Sequence, residues 1–174
     1  MALKDLDVVI SYSDGEGADA GIGVAVWSNR LPAGPLAAYC EIPACIRDLW
    51  SRRAGSEGIF NDIFLIEAIG PLIILKTFPK VMKGSLWLHF IDNVASEHSL
   101  IKGSSSIASG DVVIGMTWKR IQALDIWAYF DRVASKSNPV DGLSRKKREG
   151  PWQRVVQGRL PEELEHVIRE QGHP

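Results

Sequence analysis

The sequence predicts an α/β protein on a mixed five-stranded sheet, three antiparallel strands followed by parallel additions, with helices flanking it. Three observations predict it. Residues 7–13 and 21–27 are rich in β-branched and aromatic side chains and flank the turn chemistry Asp14-Gly-Glu-Gly17, which reads as a hairpin. A mostly apolar stretch of helical length follows at 56–78. The almost continuously apolar run 85–91 then has the pattern of a central strand covered on both faces and reached by a parallel crossover.

The elements follow in order. After the breaker Leu31-Pro-Ala-Gly-Pro35, residues 36–42 supply a third strand that completes an antiparallel meander. In the helix at 56–78, the neighbours three and four residues from Glu67 are Ile63, Phe64, Gly70 and Pro71, so Glu67 lies on a largely apolar face. Pro71 has no amide to offer the Glu67 carbonyl, and a kink is expected there. Asp92 emerges at the carboxyl end of the strand 85–91, where ligands gather in open α/β sheets. Residues 93–102 form a short helix with Asn93 as cap, and Lys102-Gly-Ser-Ser-Ser106 is a loop. Val113, Met116, Arg120, Ile121 and Leu124 stripe a further helix. Residues 126–133 are the last strand, and the loop 135–139 delivers Asp141. A tail helix is expected over 161–171, with Pro161 in its first turn. The organisation is therefore one domain over 1–145, then a basic segment and helical tail over 146–174, packed or serving as a linker.

Bulk properties frame the function. At 174 residues, 45% hydrophobic and 24% charged, the chain is ordinary for a soluble domain with a real core. Net charge is only −1, so a nucleic-acid partner would need a local basic patch, for which Arg145-Lys-Lys-Arg148 is the candidate. Cys40 and Cys45 are too few for a disulfide scaffold and have no companions for a zinc site. The longest apolar stretch is broken by Glu67, Gly70 and Pro71, and no signal-peptide pattern opens the chain. An intracellular protein, cytoplasmic or nuclear and without a membrane partner, is expected.

Four acids stand at the edges of apolar segments: Asp14, Glu67, Asp92 and Asp141. Buried acids are costly unless paired or bound to a cation. Each also has an ordinary explanation. Asp14 suits a hairpin turn, Asp92 and Asp141 suit helix caps, and Glu67 needs only one basic partner. As a set they suit Mg²⁺, which takes oxygen ligands, keeps several waters and shares phosphate oxygens with its substrate.

The element order, together with Phe90-Ile-Asp-Asn93, Leu100-Ile-Lys-Gly103 and Val133-Ala-Ser-Lys-Ser-Asn-Pro-Val-Asp-Gly-Leu-Ser-Arg145, resembles the ribonuclease H-like domain that accompanies reverse transcriptases of eukaryotic retroelements. The resemblance covers roughly Asp7 to Arg145. It implies a ribonuclease H-like fold and an endonuclease that cuts the RNA strand of RNA·DNA hybrids with Mg²⁺, or Mn²⁺ in its place. Asp14, Glu67, Asp92 and Asp141 would then be the catalytic metal ligands. The nucleic acid would meet Gly15, Asn93, Lys136, Asn138, Arg145, Lys146, Lys147 and Arg148, and a reverse transcriptase domain of the same polyprotein is an implied partner. Many members carry a histidine in the loop before the last acid; Ser135-Lys-Ser-Asn138 has none, so slower turnover is expected.

Two other readings stay open. A 3′ to 5′ exonuclease on the same fold requires Glu16 to point into the metal site, and Glu57 replaces Glu67 if the helical register shifts. A non-catalytic connector or nucleic-acid-binding module is the other. Of the remaining residues, His89 reads as a hydrogen-bonded core residue, and Trp50 beside Arg47, Arg52 and Arg53 offers a stacking surface.

Overall fold

The computed structural model describes residues 7–54, 62–164 and 166. In chain order these form β1 (Val8–Glu16), β2 (Gly21–Ser28), β3 (Leu36–Glu41), α1 (Ala44–Ala54), α2 (Asp62–Thr77), α3 (Pro79–Met82) and β4 (Leu86–Ile91). Then come α4 (Val94–Lys102), α5 (Ala108–Ala123), β5 (Trp127–Arg132), a 3-10 turn (Ser135–Ser137), α6 (Asp141–Ser144) and β6 (Arg154–Gln157). One mixed sheet runs β5-β4-β1-β2-β3-β6. β1 to β3 are the antiparallel meander, while β4 pairs parallel with both β1 and β5.

Among the described residues the sheet has six strands where the sequence suggests five. The sixth, β6, comes from the segment assigned to the tail and pairs parallel with β3, from Leu36↔Arg154 to Tyr39↔Gln157. Arg154-Val-Val-Gln157 is too short and too polar at its ends to announce a strand by itself. Two helices differ as well. Residues 44–54 are helical although no helix is expected there, and the expected start of the long helix near Ser56 lies outside the described residues. Most of the expected tail helix at 161–171 also lies outside them, although Leu164 is helical and fully buried.

Strand alternation sorts side chains between two layers. Val9, Ser11 and Ser13 of β1, and Trp87, His89 and Ile91 of β4, turn to the buried face, against which α2 packs. α2 is apolar nearly all round, with Leu65, Ile66, Ile69, Ile73, Ile74 and Leu75 fully buried. Such a helix is held by packing, each of these side chains contributing on the order of 1.5–3 kcal/mol. It continues as helix through Pro71, which leaves the Glu67 carbonyl without its usual amide. The opposite sheet face is covered by α6 over β2 and β1, and Ile10, Trp127 and Tyr129 are exposed. Among the described residues no helix is long and apolar enough to cross a membrane.

Candidate metal centre

Asp14 lies within β1, not in a turn, because the strand runs on to Glu16 and pairs Asp14 with Gly23 of β2. The hairpin closes two residues later. There the Glu16 carboxylate accepts the Ala18 and Asp19 amides, each at 2.9 Å. Asp92 follows the last residue of β4 directly, and β4 lies parallel beside β1, so both acids reach the same end of the sheet. Glu67 arrives from α2, which crosses beneath that end.

Asp14, Glu67 and Asp92 each place a carboxylate oxygen within 4.8 Å of the other two. Asp14 and Glu67 are buried and Asp92 half-buried. No lysine or arginine is ion-paired to any of the three among the described residues. Glu67 Oε1 accepts the Gly15 amide at 3.0 Å, and its Oε2 is buried, the protonated carboxyl sharing a hydrogen bond with Asp92. Burial pushes the Glu67 carboxyl up to about 9, and the like charges of Asp92 and Asp14 add to the rise. Asp14 rises to about 6, through burial first, opposed by a hydrogen bond from Ser144 and reinforced by Asp92 and Asp141.

The donor set fits a hard divalent cation. Three converging carboxylates, two of them buried, match the oxygen-only coordination of Mg²⁺ or Mn²⁺. A bound cation would also let the two buried acids ionise together with the half-buried Asp92. Asp141 stands outside this group. It opens α6, and its carboxylate is held by Arg145 at 3.2 Å, 48% of its side chain remaining exposed. It acts on Asp14 through charge.

The residues expected to meet nucleic acid divide. Gly15 is close-packed against α2: a Cβ there would stand 2.7 Å from Ile66 Cγ2. Asn93 caps α4, its Oδ1 accepting the Ser96 amide at 3.0 Å. Asn138 is buried and ties its loop to β1, donating from Nδ2 to the Ser13 carbonyl at 2.9 Å. It therefore clamps its loop to β1, with one of its two Nδ2 protons spent on the Ser13 carbonyl. Lys146 is ion-paired to Asp19 at 3.1 Å and Glu41 at 3.0 Å. Lys136, Arg145, Lys147 and Arg148 remain exposed.

His89 is a core residue, as its apolar strand suggests. Ser11 Oγ lies 2.8 Å from Nδ1 and Ser13 Oγ 3.1 Å from Nε2, while burial pushes the imidazole down to about 3. Trp50 is fully buried, so it cannot stack on a base. Glu57 lies outside the described residues. Sequence reasoning missed Ser144, whose hydroxyl donates to Asp14 Oδ2; a serine inside a four-residue helix carries no local signal.

No protein-family model matches this chain, and no curated protein matches it.

Proposed function

We propose that this chain is a divalent-metal-dependent phosphodiester hydrolase of ribonuclease H-like type that cuts the RNA strand of RNA·DNA hybrids. The observation that carries the reading is the convergence of Asp14, Glu67 and Asp92 within 4.8 Å, two of them buried and none ion-paired to a lysine or arginine among the described residues. The sheet supports it as well. Three antiparallel strands come first and parallel strands are added beside β1, as that resemblance implies.

Asp14, Glu67 and Asp92 would hold the cation. When bound, it lowers the pKa of a water nucleophile and stabilises charge on the phosphoryl and leaving oxygens. The protein's own contribution is to fix the carboxylates before substrate arrives. β1 and β4 hold Asp14 and Asp92 side by side, and the Gly15 amide orients Glu67. The exposed cations Lys136, Lys147 and Arg148 stand on the loops around α6 and would meet the phosphate backbone. The preference for a hybrid, a retroelement origin and a reverse transcriptase partner rest on the sequence resemblance alone.

The exonuclease alternative asks for Glu16 at the metal, and the Glu16 carboxylate is engaged in the hairpin turn. A connector has no physical need for three converging acids, two of them buried, with no basic partner among the described residues. The deciding assay uses a labelled RNA·DNA hybrid with Mg²⁺, with Mn²⁺, with chelator, and with Asp92→Asn. Cleavage of the RNA strand that chelator and Asp92→Asn both abolish is the expected result. An intact hybrid in both metals would overturn the hydrolase reading and leave the connector.

A further inference from the structure

We infer that Ser144 is a positioning residue for the metal centre, holding Asp14 in its ligating orientation; the inference rests on the hydrolase reading above. Its Oγ is buried, donates to Asp14 Oδ2, and lies 2.8 Å from the Asp141 carbonyl. A hydroxyl has one proton to give. Between an ionised carboxylate and a neutral carbonyl the carboxylate wins, because the charge-assisted bond is about twice as strong. Asp14 Oδ2 is thus occupied by a fixed donor, which directs the carboxylate's remaining lone pairs toward Glu67 and Asp92.

The fold places that hydroxyl by close backbone contact. β2 carries Gly21 and Gly23 beneath α6, and Gly23 is the register partner of Asp14. A Cβ at Gly23 would stand 2.6 Å from the Ser144 amide nitrogen, and one at Gly21 would stand 2.3 Å from the Ser144 carbonyl oxygen. Only glycines let α6 lie this close to the sheet, so Ser144 reaches Asp14 directly. Asp141 begins the same short helix, and one seat therefore sets the distance of both residues from the acid group. Asn138 secures the entry to that helix through its bond to Ser13, next to Asp14.

A further donor to a ligand carboxylate is worth about 10- to 100-fold in metal affinity. The test is calorimetric titration of the full chain with Mn²⁺, alongside hybrid cleavage and the metal-free melting midpoint, for wild type, Ser144→Ala, Ser144→Cys and Ser144→Thr. The Cys variant keeps the size but offers only a weak donor, and the Thr variant keeps the hydroxyl. Weaker Mn²⁺ binding by the Ala and Cys variants, each still melting cooperatively without metal, with affinity restored by Thr and with kcat falling more than KM rises, is the expected result. Wild-type Mn²⁺ affinity in either Ser144→Ala or Ser144→Cys overturns the assignment and leaves the metal centre standing. Absence of Mn²⁺ binding by the wild-type chain, with Asp14→Asn as the matched control, overturns both.

Discussion

Glu67 concentrates the physical tension of the molecule. Its carboxyl is raised from 4.5 to about 9 by burial and by its acidic neighbours, so the folded state holds this proton more tightly than the unfolded chain does. Stability from that protonation is fully present below about pH 4.5 and is lost as the pH rises toward 9. Asp14, raised from 3.8 to about 6, acts in the same direction over a lower window. The metal-free protein should therefore lose stability between pH 5 and 9, and Mg²⁺ should restore it. Glu67→Gln keeps the Gly15 contact and removes the charge, so it should flatten this slope and stabilise the metal-free chain at pH 8. A tenfold change in proton affinity corresponds to about 1.4 kcal/mol, so a gain of roughly 2 kcal/mol or more is expected. Urea melts of both proteins at pH 5 and pH 8, with and without Mg²⁺, check it; equal slopes for the two proteins would contradict a buried, proton-holding Glu67.

Individual elements deliver the acids, and each has a point at which delivery can be broken. α2 approaches β1 closely at Gly15, where an added methyl meets Ile66 Cγ2 at 2.7 Å and Glu67 Cδ at 3.3 Å. Gly15→Ala relieves chain entropy but overpacks the contact, at about 1–3 kcal/mol, so destabilisation should win. Metal affinity should fall with it, because the displaced helix is the one that carries Glu67; thermal melts and a Mn²⁺ titration on the same sample measure both. At the other ligand, Asn93 caps α4 immediately after Asp92. Asn93→Ala should cost about 1 kcal/mol in denaturant melts and leave metal affinity nearly unchanged, since the cap holds the helix and not the carboxylate.

The whole sheet depends on residues beyond 145. β6 pairs with β3, the Gly158 amide bonds the Tyr39 carbonyl at 2.7 Å, the Arg159 amide bonds Thr77 Oγ1 at 2.9 Å, and Leu164 is fully buried. Truncation after Arg145 removes all of these and leaves β3 as an open edge. Losing the Leu164 packing alone is worth about 2 kcal/mol, so a fall of at least about 4–8 °C in Tm is expected for the truncated chain. A midpoint equal to that of the full chain would show that β6 is dispensable. What the sequence by itself determined was local: the meander of 7–42, the buried strand ending at Asp92, the apolar face around Glu67 and the cap at Asn93 are all written in periodicity and turn chemistry within a few residues. What only the tertiary structure decided was pairing at a distance. The four residues of β6 form a strand because β3 offers them an edge, and Asn138 is a clamp because the Ser13 carbonyl lies within reach. Asp141 stands outside the three-carboxylate group, held by Arg145, and Asp14 gains the hydroxyl of Ser144 across the glycines of β2. Periodicity records which face a residue takes, whereas a metal centre depends on which distant groups arrive at that face.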